Sequence, residues 1–311
     1  MIKPKALEFG DTIGVIAPAS PTSKANIKKA EKKLVEMGFK VKMGESCFET
    51  YGYLSGTDDI RARDLNNMFA DEEVSGIICM RGGYGTPRLL ELIDYELIKR
   101  NPKVFVGYSD ITALHIAITQ LSNLVTFHGP MVAADLIGDV SEFTQKSLYN
   151  SILKGEFSGD IDNPDGEDIV TINGGMAEGP IIGGNLSLVV DTLRTPYEID
   201  VKGKILFLEE IGEESYQIDR MFNQLRLSGL LEEAEGIILG DFHNCGAEIS
   251  KHPDSLTLEQ VIDDLVRPVN KPTIYNLQSG HCEPMITLPF GVNARLDADK
   301  GQLTILEMPK E

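Results

Sequence analysis

Residues 103–120 read KVFVGYSDITALHIAITQ, and their hydrophobic pattern changes halfway along. Residues 104–106, VFV, are a short apolar run of β-formers, which predicts a buried parallel strand. Apolar residues then recur at the spacing of a helix, at Ile111, Leu114, Ile118 and Leu121. Asp110 is placed to cap that helix at its N-terminus. Ser109 therefore lies at the turn between a strand and a helix.

Such a turn lifts the side chain of Ser109 out of the sheet and points the free N–H groups of the helix at whatever binds there. That geometry suits a serine nucleophile, because the oxyanion made by its attack needs nearby donors. The usual nucleophile elbow is G-x-S-x-G, whereas residues 107–111 read GYSDI and lack the second glycine. On this stretch alone, a serine that merely caps a helix is the simpler interpretation, and both readings stay open.

Length and composition limit the kinds of protein this chain can be. A chain of 311 residues with 42% hydrophobic content predicts about two domains with well-packed cores. The formal net charge of −19 argues against nucleic acid or an anionic membrane as a partner. No apolar run suits a membrane span or a signal peptide, so we expect a cytoplasmic protein. The cysteines are far apart and form no C-x-x-C pair, which is typical of reduced thiols: Cys47, Cys79, Cys245 and Cys282.

Predicted strands and helices alternate over the first 150 residues, which indicates an α/β domain with a parallel sheet covered on both faces. Ligands bind such sheets at the carboxyl ends of the strands. Residues 155–168, GEFSGDIDNPDGED, are polar and acidic and read as a linker. We therefore expect an N-terminal domain at 1–160 and a smaller, β-rich α/β domain at 161–311. The predicted strands are 12–17, 39–43, 75–80, 104–106, 124–127, 169–172, 180–182, 204–208, 236–239, 273–277, 286–288 and 303–306. The predicted helices are 24–37, one opening at Thr57, 86–97, one after Ser109, about 144–153, 184–192, 216–229 and 257–266.

A glycine-rich loop, RGGYG, occupies residues 81–85 directly after a predicted strand. Glycines let backbone N–H groups approach a ligand closely, so the loop suits an oxyanion or a phosphate group. It is not G-x-G-x-x-G, and no P-loop lysine follows, so nucleotide binding is poorly supported. A tight turn between strand and helix is the alternative interpretation.

Two adjacent acids, Glu209 and Glu210, end the predicted strand KILFLEE. Because side chains alternate along a strand, the two carboxylates point to opposite faces. One of them is able to orient a histidine, although paired acids are more often solvated surface. A general base has five candidates: His115, His128, His243, His252 and His281. His281 lies in the glycine-bearing turn SGHCEP, and a loop histidine held by a rigid turn is a good candidate for a base.

The ordered set of these segments resembles the LD-carboxypeptidase family of serine peptidases, which includes murein tetrapeptide carboxypeptidases and microcin-immunity carboxypeptidases. The segments are GGYG, GYSD, FLEE followed by YQIDR, and SGHCEP. The resemblance also takes in GDTIGVIAPASP near the N-terminus, GYLSGTDDIRARDLNNMF, TFHGPM and GGNLSLV, so it covers nearly the whole chain. One departure is Glu210, where the family often has aspartate, and it leaves open which acid faces His281.

The resemblance implies a catalytic triad of Ser109 as nucleophile, His281 as base and Glu209 as acid. It implies an oxyanion hole made of backbone N–H groups of Gly82 or Gly83 and of Asp110. It implies no metal and no cofactor, in keeping with the lack of an H-E-x-x-H motif, and it implies a homodimer. A carboxypeptidase must also bind a terminal carboxylate, a task suited to arginine. The candidate substrate-binding residues are Arg81, Tyr84 and Arg220.

The expected function is hydrolysis of the L,D bond that releases the terminal D-alanine from murein tetrapeptide, a small peptide of peptidoglycan recycling. The alternative within the family is cleavage of a peptidyl-nucleotide antibiotic, for which an aromatic residue would stack on the base. The chain has no tryptophan, which favours murein peptides. A rival of another class is a two-domain protein that binds peptide or sugar without catalysis. That rival has no reason to place a base within about 3 Å of the Ser109 hydroxyl.

Overall fold

The computed structural model describes residues 1–153, 158–246 and 254–306, and within them it has two β-sheets with helices packed against them. The strands are β1 (Thr12–Ile16), β2 (Lys40–Met43), β3 (Gly76–Cys79), β4 (Val104–Gly107), β5 (Thr126–His128), β6 (Gly159–Ile161), β7 (Val170–Asn173), β8 (Met176–Asn185), β9 (Ile205–Ile211), β10 (Gly236–His243), β11 (Thr273–Tyr275), β12 (Leu288–Phe290), β13 (Asn293–Asp297) and β14 (Gln302–Ile305). The α-helices are α1 (Lys24–Glu36), α2 (Asp58–Ala70), α3 (Tyr95–Arg100), α4 (Thr112–Leu121), α5 (Glu142–Ile152), α6 (Leu186–Asp191), α7 (Ser215–Ser228), α8 (Leu230–Glu233) and α9 (Leu258–Leu265).

The first sheet has the strand order β12-β5-β4-β3-β1-β2. Strands β1 to β5 are parallel, and β12 joins the edge strand β5 in antiparallel register. The order reverses between β1 and β3, because the chain runs from β1 to β2 on one side and from β3 to β5 on the other. Ligands bind parallel sheets at such reversal points, outside the carboxyl ends of the strands.

The second sheet has the order β6-β14-β13-β8-β9-β10-β11-β7. Its central strands β8 to β11 are parallel, and the outer strands on both sides are antiparallel. Most of β9 is buried, from Ile205 to Glu210. A strand buried on both faces carries an almost continuous apolar run, and here that run ends in two acids.

The first helix shows how the local sequence forms these elements. The Ser23 hydroxyl caps α1 by accepting the N–H of Asn26. Ile27, Ala30 and Leu34 recur at helical spacing and are buried in the core of the first sheet. The apolar spacing alone predicted a helix at 24–37, and the structure confirms it at Lys24–Glu36.

The α/β fold class is confirmed, with a parallel first sheet and a β-rich second half. One element prediction is wrong, and one strand was missed. The helix predicted at 86–97 divides into a 3₁₀ turn at Thr86–Leu92 and helix α3, because Ile93 is extended and the Asp94 carboxylate caps a new helix. Strand β13 was not predicted, although residues 293–297 do alternate between exposed and buried positions.

The predicted linker at 155–168 needs correction as well. It contains β6, an edge strand of the second sheet that pairs with β14. The polar residues of β6 gave no strand pattern because little of it is buried. Residues 155–157 of that linker and the candidate base His252 lie outside the described residues. In the part of the chain that the structure describes, no helix is both long and apolar enough to cross a membrane.

Candidate active site

Ser109 stands at the carboxyl edge of the first sheet, two residues beyond β4. Its φ is +62°, in the left-handed region that non-glycine residues seldom adopt. The chain passes from Ser109 through a 3₁₀ turn, Ser109–Ile111, into α4. The sharp reversal brings Ile111 against Gly107, where an added Cβ would come within 2.9 Å of the isoleucine Cγ2. The turn is therefore a strained elbow that holds the serine hydroxyl above the sheet edge.

The side chains of Ser109, His281 and Glu209 form a continuous hydrogen-bonded chain. His281 Nδ1 lies 2.6 Å from Glu209 Oε2, and His281 Nε2 lies 3.0 Å from Ser109 Oγ. Because an ionised carboxylate only accepts hydrogen bonds, Nδ1–H donates to Glu209 and Nε2 is free to accept the serine O–H. This arrangement is that of a nucleophile, a base and a group that orients the base.

The electrostatics of the pair favour a charged imidazole. Burial by itself lowers the pKa of His281, but the charge and the hydrogen bond of Glu209 outweigh it, so the pKa lies above its ordinary value. Burial raises the pKa of Glu209, which is fully enclosed, and the nearby His281 opposes that rise. An imidazolium formed during a reaction would thus be stabilised where it stands.

His281 reaches Glu209 because the turn before it has no side chain in the way. Gly280 has a φ of +126°, and an added Cβ would lie 2.8 Å from Glu209 Oε2. The ring of Tyr108 packs edge-on against the imidazole of His281, with centroids 4.9 Å apart. The Tyr108 hydroxyl in turn donates to Asp135, at 2.9 Å. Backbone approach on one side and an aromatic ring on the other fix the position of the imidazole.

Glu210, the second acid of the pair, points to the opposite face of β9. It is 3% exposed and accepts hydrogen bonds from Asn185 Nδ2, at 2.7 Å, and from the Ser187 N–H and hydroxyl, at 2.8 and 2.7 Å. Its carboxylate also accepts the N–H of Ile211. Glu210 therefore holds the start of α6, whereas Glu209 is the acid that contacts His281.

The loop at residues 81–85 follows β3, the strand next to β4, and packs against the serine turn. A Cβ added at Gly82 would lie 2.9 Å from Ser109 Cβ and 3.5 Å from the backbone nitrogen of Asp110. Gly83 has a φ of +125°, and its own Cβ would collide with the hydroxyl of Ser20. Glycine is required at both positions, and the loop lies in contact with the serine on the side of the Asp110 N–H.

The prediction that Asp110 caps α4 is wrong. Its carboxylate accepts the N–H groups of Gly85 and Thr86 instead, at 3.2 and 2.8 Å. The helix starts two residues later, at Thr112, after the 3₁₀ turn. The acid was placed correctly at the turn, but a loop distant in sequence offers it better donors.

The three predicted substrate-binding residues fall in two places. Arg81 and Tyr84 belong to the loop beside Ser109, where both are exposed and Arg81 Nε donates to its neighbouring carbonyl at 3.2 Å. Tyr84 packs edge-on against the exposed Tyr53, with centroids 5.5 Å apart. Arg220 lies on α7 of the second half, with its guanidinium 5.8 Å from the centre of the Tyr216 ring.

Two other candidate bases, His115 and His128, are buried in the core. His115 is fully buried, with its ring nitrogens 2.8 Å from Thr126 Oγ1 and 2.8 Å from the Gly107 carbonyl oxygen. Burial lowers its pKa to about 4. His128 is fully buried beside the ring of Phe207, and burial lowers its pKa well below the ordinary value. Both histidines are neutral members of the core.

Sequence reasoning missed two residues that support the site. Asp135 lies in a π turn, Val132–Leu136, and binds both the Tyr108 hydroxyl and the N–H of Met131. Arg61 lies in α2, fully buried, and donates to the carbonyl of Gly85 at 3.0 Å. No local pattern marks Asp135. Arg61 gave a weak signal, since it places a charge on the face of α2 that carries the buried apolar residues.

Comparison with known proteins adds to this geometry. Residues 13–129 match the model of the LD-carboxypeptidase N-terminal domain, and residues 178–296 match that of the LD-carboxypeptidase C-terminal domain. The chain belongs to the LD-carboxypeptidase family. The family predicted from the sequence is thereby confirmed, and so is the class of enzyme, a serine-type carboxypeptidase that hydrolyses peptide bonds.

Relatives of the family resemble the chain along almost its full length. A probable murein peptide carboxypeptidase of Bacillus subtilis is 47% identical, over 95% of this chain and 91% of the relative. A solved muramoyltetrapeptide carboxypeptidase of Oxalobacter formigenes is 29% identical, with a TM-score of 0.82 over 96% of this chain and all of that one. A solved structure of MccF in complex with glutamyl sulfamoyl guanosine is 25% identical, with a TM-score of 0.90 over 98% of each chain.

Proposed function

We propose that the chain removes the terminal D-alanine from murein tetrapeptide by hydrolysing the L,D peptide bond, as a step of peptidoglycan recycling in the cytoplasm. The observation that carries this proposal is the hydrogen-bonded chain from Ser109 through His281 to Glu209. The substrate class is supported by the similarity to the Bacillus subtilis relative. A protein that only binds peptide or sugar gains nothing from a histidine 3.0 Å from a strained serine.

The first half of the reaction would form an acyl-enzyme. His281 Nε2 takes the proton of Ser109 as the serine oxygen attacks the carbonyl carbon of the scissile bond. Glu209 stabilises the imidazolium that results. When the tetrahedral intermediate collapses, the carbon–nitrogen bond breaks and His281 returns the proton to the amine of the departing D-alanine.

The second half would return the enzyme to its starting state. His281 removes a proton from water as the water oxygen attacks the acyl carbon, and it then protonates Ser109 Oγ as the ester bond breaks. In both halves the negative oxygen would accept N–H groups of Gly82 or Gly83 and of Asp110. The proposal is supported by the closeness of the loop, since a Cβ added at Gly82 would lie 3.1 Å from Ser109 Oγ and 3.5 Å from the Asp110 nitrogen. Donors fixed before the reaction stabilise that charge without reorganisation.

The departing D-alanine carries the free carboxylate of the substrate, and a cationic side chain near the loop would bind it. Arg81 is exposed beside Gly82 and is our first candidate, with the Tyr84 hydroxyl as a second donor on the same loop. Arg220 remains a third candidate from the second half of the chain. We further propose a homodimer and a division of the chain near residue 160, between the two family-model matches.

A second candidate function has support from the similarity to MccF, which was solved with glutamyl sulfamoyl guanosine. A peptidyl-nucleotide would be cleaved by the same acyl transfer, with the nucleotide part in place of D-alanine. The chain has no tryptophan to stack on a base, and we place murein tetrapeptide first for that reason.

A side-by-side assay tests the proposal. Purified protein is incubated with murein tetrapeptide, with the same peptide ending in L-alanine, and with a peptidyl-adenylate, and the products are identified by mass spectrometry. We expect release of D-alanine from the first substrate at a kcat/KM at least about tenfold higher than for the other two. Equal or faster cleavage of the adenylate would favour the second function, and no hydrolysis of either peptide would refute the first.

A further inference from the structure

One buried carboxylate joins the two segments that flank the serine. The loop at 81–85 and the turn at Ser109 follow different strands, and the side chain of Asp110, a residue of the turn that is 1% exposed, reaches the end of the loop. One of its oxygens accepts the N–H of Gly85 at 3.2 Å, and the other accepts the N–H of Thr86 at 2.8 Å. The Thr86 hydroxyl also donates to Asp110, to its main-chain carbonyl. The two segments are therefore joined by three hydrogen bonds, all donated by Gly85 and Thr86 and all accepted by Asp110.

A buried arginine holds the same loop from behind. Arg61 is fully buried and donates to the carbonyls of Gly85 and Pro18, and it pairs with Asp58. Burying a guanidinium and a carboxylate is costly compared with an apolar core of the same volume. Two of the three Arg61 nitrogens are hydrogen-bonded, and such bonds favour one position of the loop. We therefore read Arg61 as a residue that fixes the position of the loop, since an apolar side chain would stabilise the fold at lower cost.

The position of the loop matters because Gly82 lies beside the proposed nucleophile, with no room for a side chain between them. A Cβ added at Gly82 would lie 3.1 Å from Ser109 Oγ and 3.5 Å from the nitrogen of Asp110. Oxyanion donors work only when they lie about 2.7–3.1 Å from the developing charge. A displacement of the loop by a few tenths of an ångström would therefore weaken the stabilisation of the transition state.

We propose that the Asp110 carboxylate is a positioning group that locks the loop at 81–85 against the Ser109 turn, so that the N–H groups of both segments stay aimed at the oxyanion. The inference rests on the proposed acyl transfer at Ser109. It gives the side chain of Asp110 a role separate from that of its backbone N–H. The carboxylate is buried and both of its oxygens accept hydrogen bonds from Gly85 and Thr86, so it would act by holding the loop in place and not by binding the substrate.

The test is Asp110→Asn, which changes little in volume. The amide oxygen still accepts one of the two N–H groups, from Gly85 or Thr86. The amide NH₂ faces the other N–H, so that hydrogen bond is replaced by repulsion between two donors. Because the interaction affected belongs to the transition state, we expect kcat to fall by about 10- to 100-fold while KM changes by less than about twofold. A role in stability alone would leave kcat per folded molecule unchanged.

The matched control is Asp64→Asn. Asp64 is also a buried carboxylate of the first half that accepts a backbone N–H, from Ser46 at 2.6 Å, but it does not contact the loop. Its substitution should lower the thermal midpoint and leave kcat at the wild-type value. A second pair serves if Asp110→Asn does not fold: Thr86→Val removes the hydrogen bond from the Thr86 hydroxyl to the Asp110 carbonyl, and Thr86→Ser retains it.

A fluorophosphonate probe measures the same geometry without the natural substrate. Ser109 Oγ attacks phosphorus, the phosphorus–fluorine bond breaks, fluoride leaves and His281 takes the serine proton, while the phosphoryl oxygen occupies the oxyanion position. The second-order labelling rate of Asp110→Asn should fall in parallel with kcat. Wild-type protein that is labelled but does not hydrolyse tetrapeptide would refute the proposed substrate. The role of Asp110 would then be decided by the labelling rates of wild type and Asp110→Asn.

The outcomes divide cleanly. A lower kcat and a lower labelling rate in Asp110→Asn, with Asp64→Asn unchanged in both, support the inference. In the second pair, a loss in Thr86→Val that Thr86→Ser restores supports it too. A wild-type kcat in folded Asp110→Asn, or a raised KM with kcat retained, overturns it, and so does a wild-type kcat in Thr86→Val. Wild-type protein that resists the probe would overturn both the nucleophile and this inference.

Discussion

The turn that carries Ser109 and the strand end that carries Glu209 are built in different ways. Ser109 is held by neighbours in sequence, since β4, the elbow and α4 follow one another within 20 residues. Glu209 and His281 are 72 residues apart, and His281 is 172 residues from Ser109, so their contacts depend on how the two sheets come together. The position of the proposed nucleophile is thus set locally in the chain, whereas the positions of the proposed base and its acid depend on tertiary packing.

The substitution Glu209→Gln removes the charge from the contact between Glu209 and His281, which depends on tertiary packing. The amide cannot provide the negative charge that favours the imidazolium, and its NH₂ opposes the Nδ1–H tautomer, so we expect kcat to fall by about 10²- to 10⁴-fold. The pH profile should change as well. Activity rises with pH as His281 loses its proton, and Glu209 is what raises that pKa above its ordinary value.

Without the charge and hydrogen bond of Glu209, burial is opposed by the weaker charges of Glu210 and Asp135, so the pKa of His281 should fall and the acid limb of kcat/KM should move to lower pH. The measurement is the pH dependence of kcat/KM for tetrapeptide hydrolysis in wild type and variant. An acid limb that stays in place or moves to higher pH would contradict the assignment of Glu209.

The same change one residue further, Glu210→Gln, sharpens the comparison. Glu210 faces away from His281 and accepts hydrogen bonds from Asn185, Ser187 and Ile211. The variant leaves buried donors unpaired, so we expect the free energy of unfolding to fall by about 1–3 kcal/mol, with kcat per folded molecule within about tenfold of wild type. Urea unfolding and steady-state kinetics measure the two effects. If this variant lost as much kcat as Glu209→Gln, the division of roles between the two acids would be wrong.

Local signals in the sequence were enough for much of the fold and for the serine turn. The apolar run at 104–106 and the helical spacing after Ile111 placed Ser109 at the end of a strand, where the structure has it. The alternation along β9 placed the two glutamates on opposite faces, as they are. In each case the residues that determine the feature lie within one element.

Other parts of the site had no local signal. Five histidines were candidate bases, and the glycine-bearing turn favoured His281, but only the family resemblance singled it out. The carboxylate of Asp110 was expected to cap the next helix, but the donors that it binds come from a loop about 25 residues earlier. The support of His281 by Tyr108 and Asp135 depends on contacts between distant segments. Such contacts arise when the sheets pack, and a linear pattern does not record them.

The most direct test of the account is the rate of tetrapeptide hydrolysis by Ser109→Ala, compared with wild type under identical conditions. Circular dichroism and thermal unfolding serve as the control that the variant is folded. We predict a loss in kcat of about 10⁴-fold or more, because the acyl-enzyme can no longer form. Release of D-alanine by the folded variant at the wild-type rate would contradict the assignment of Ser109 as the nucleophile.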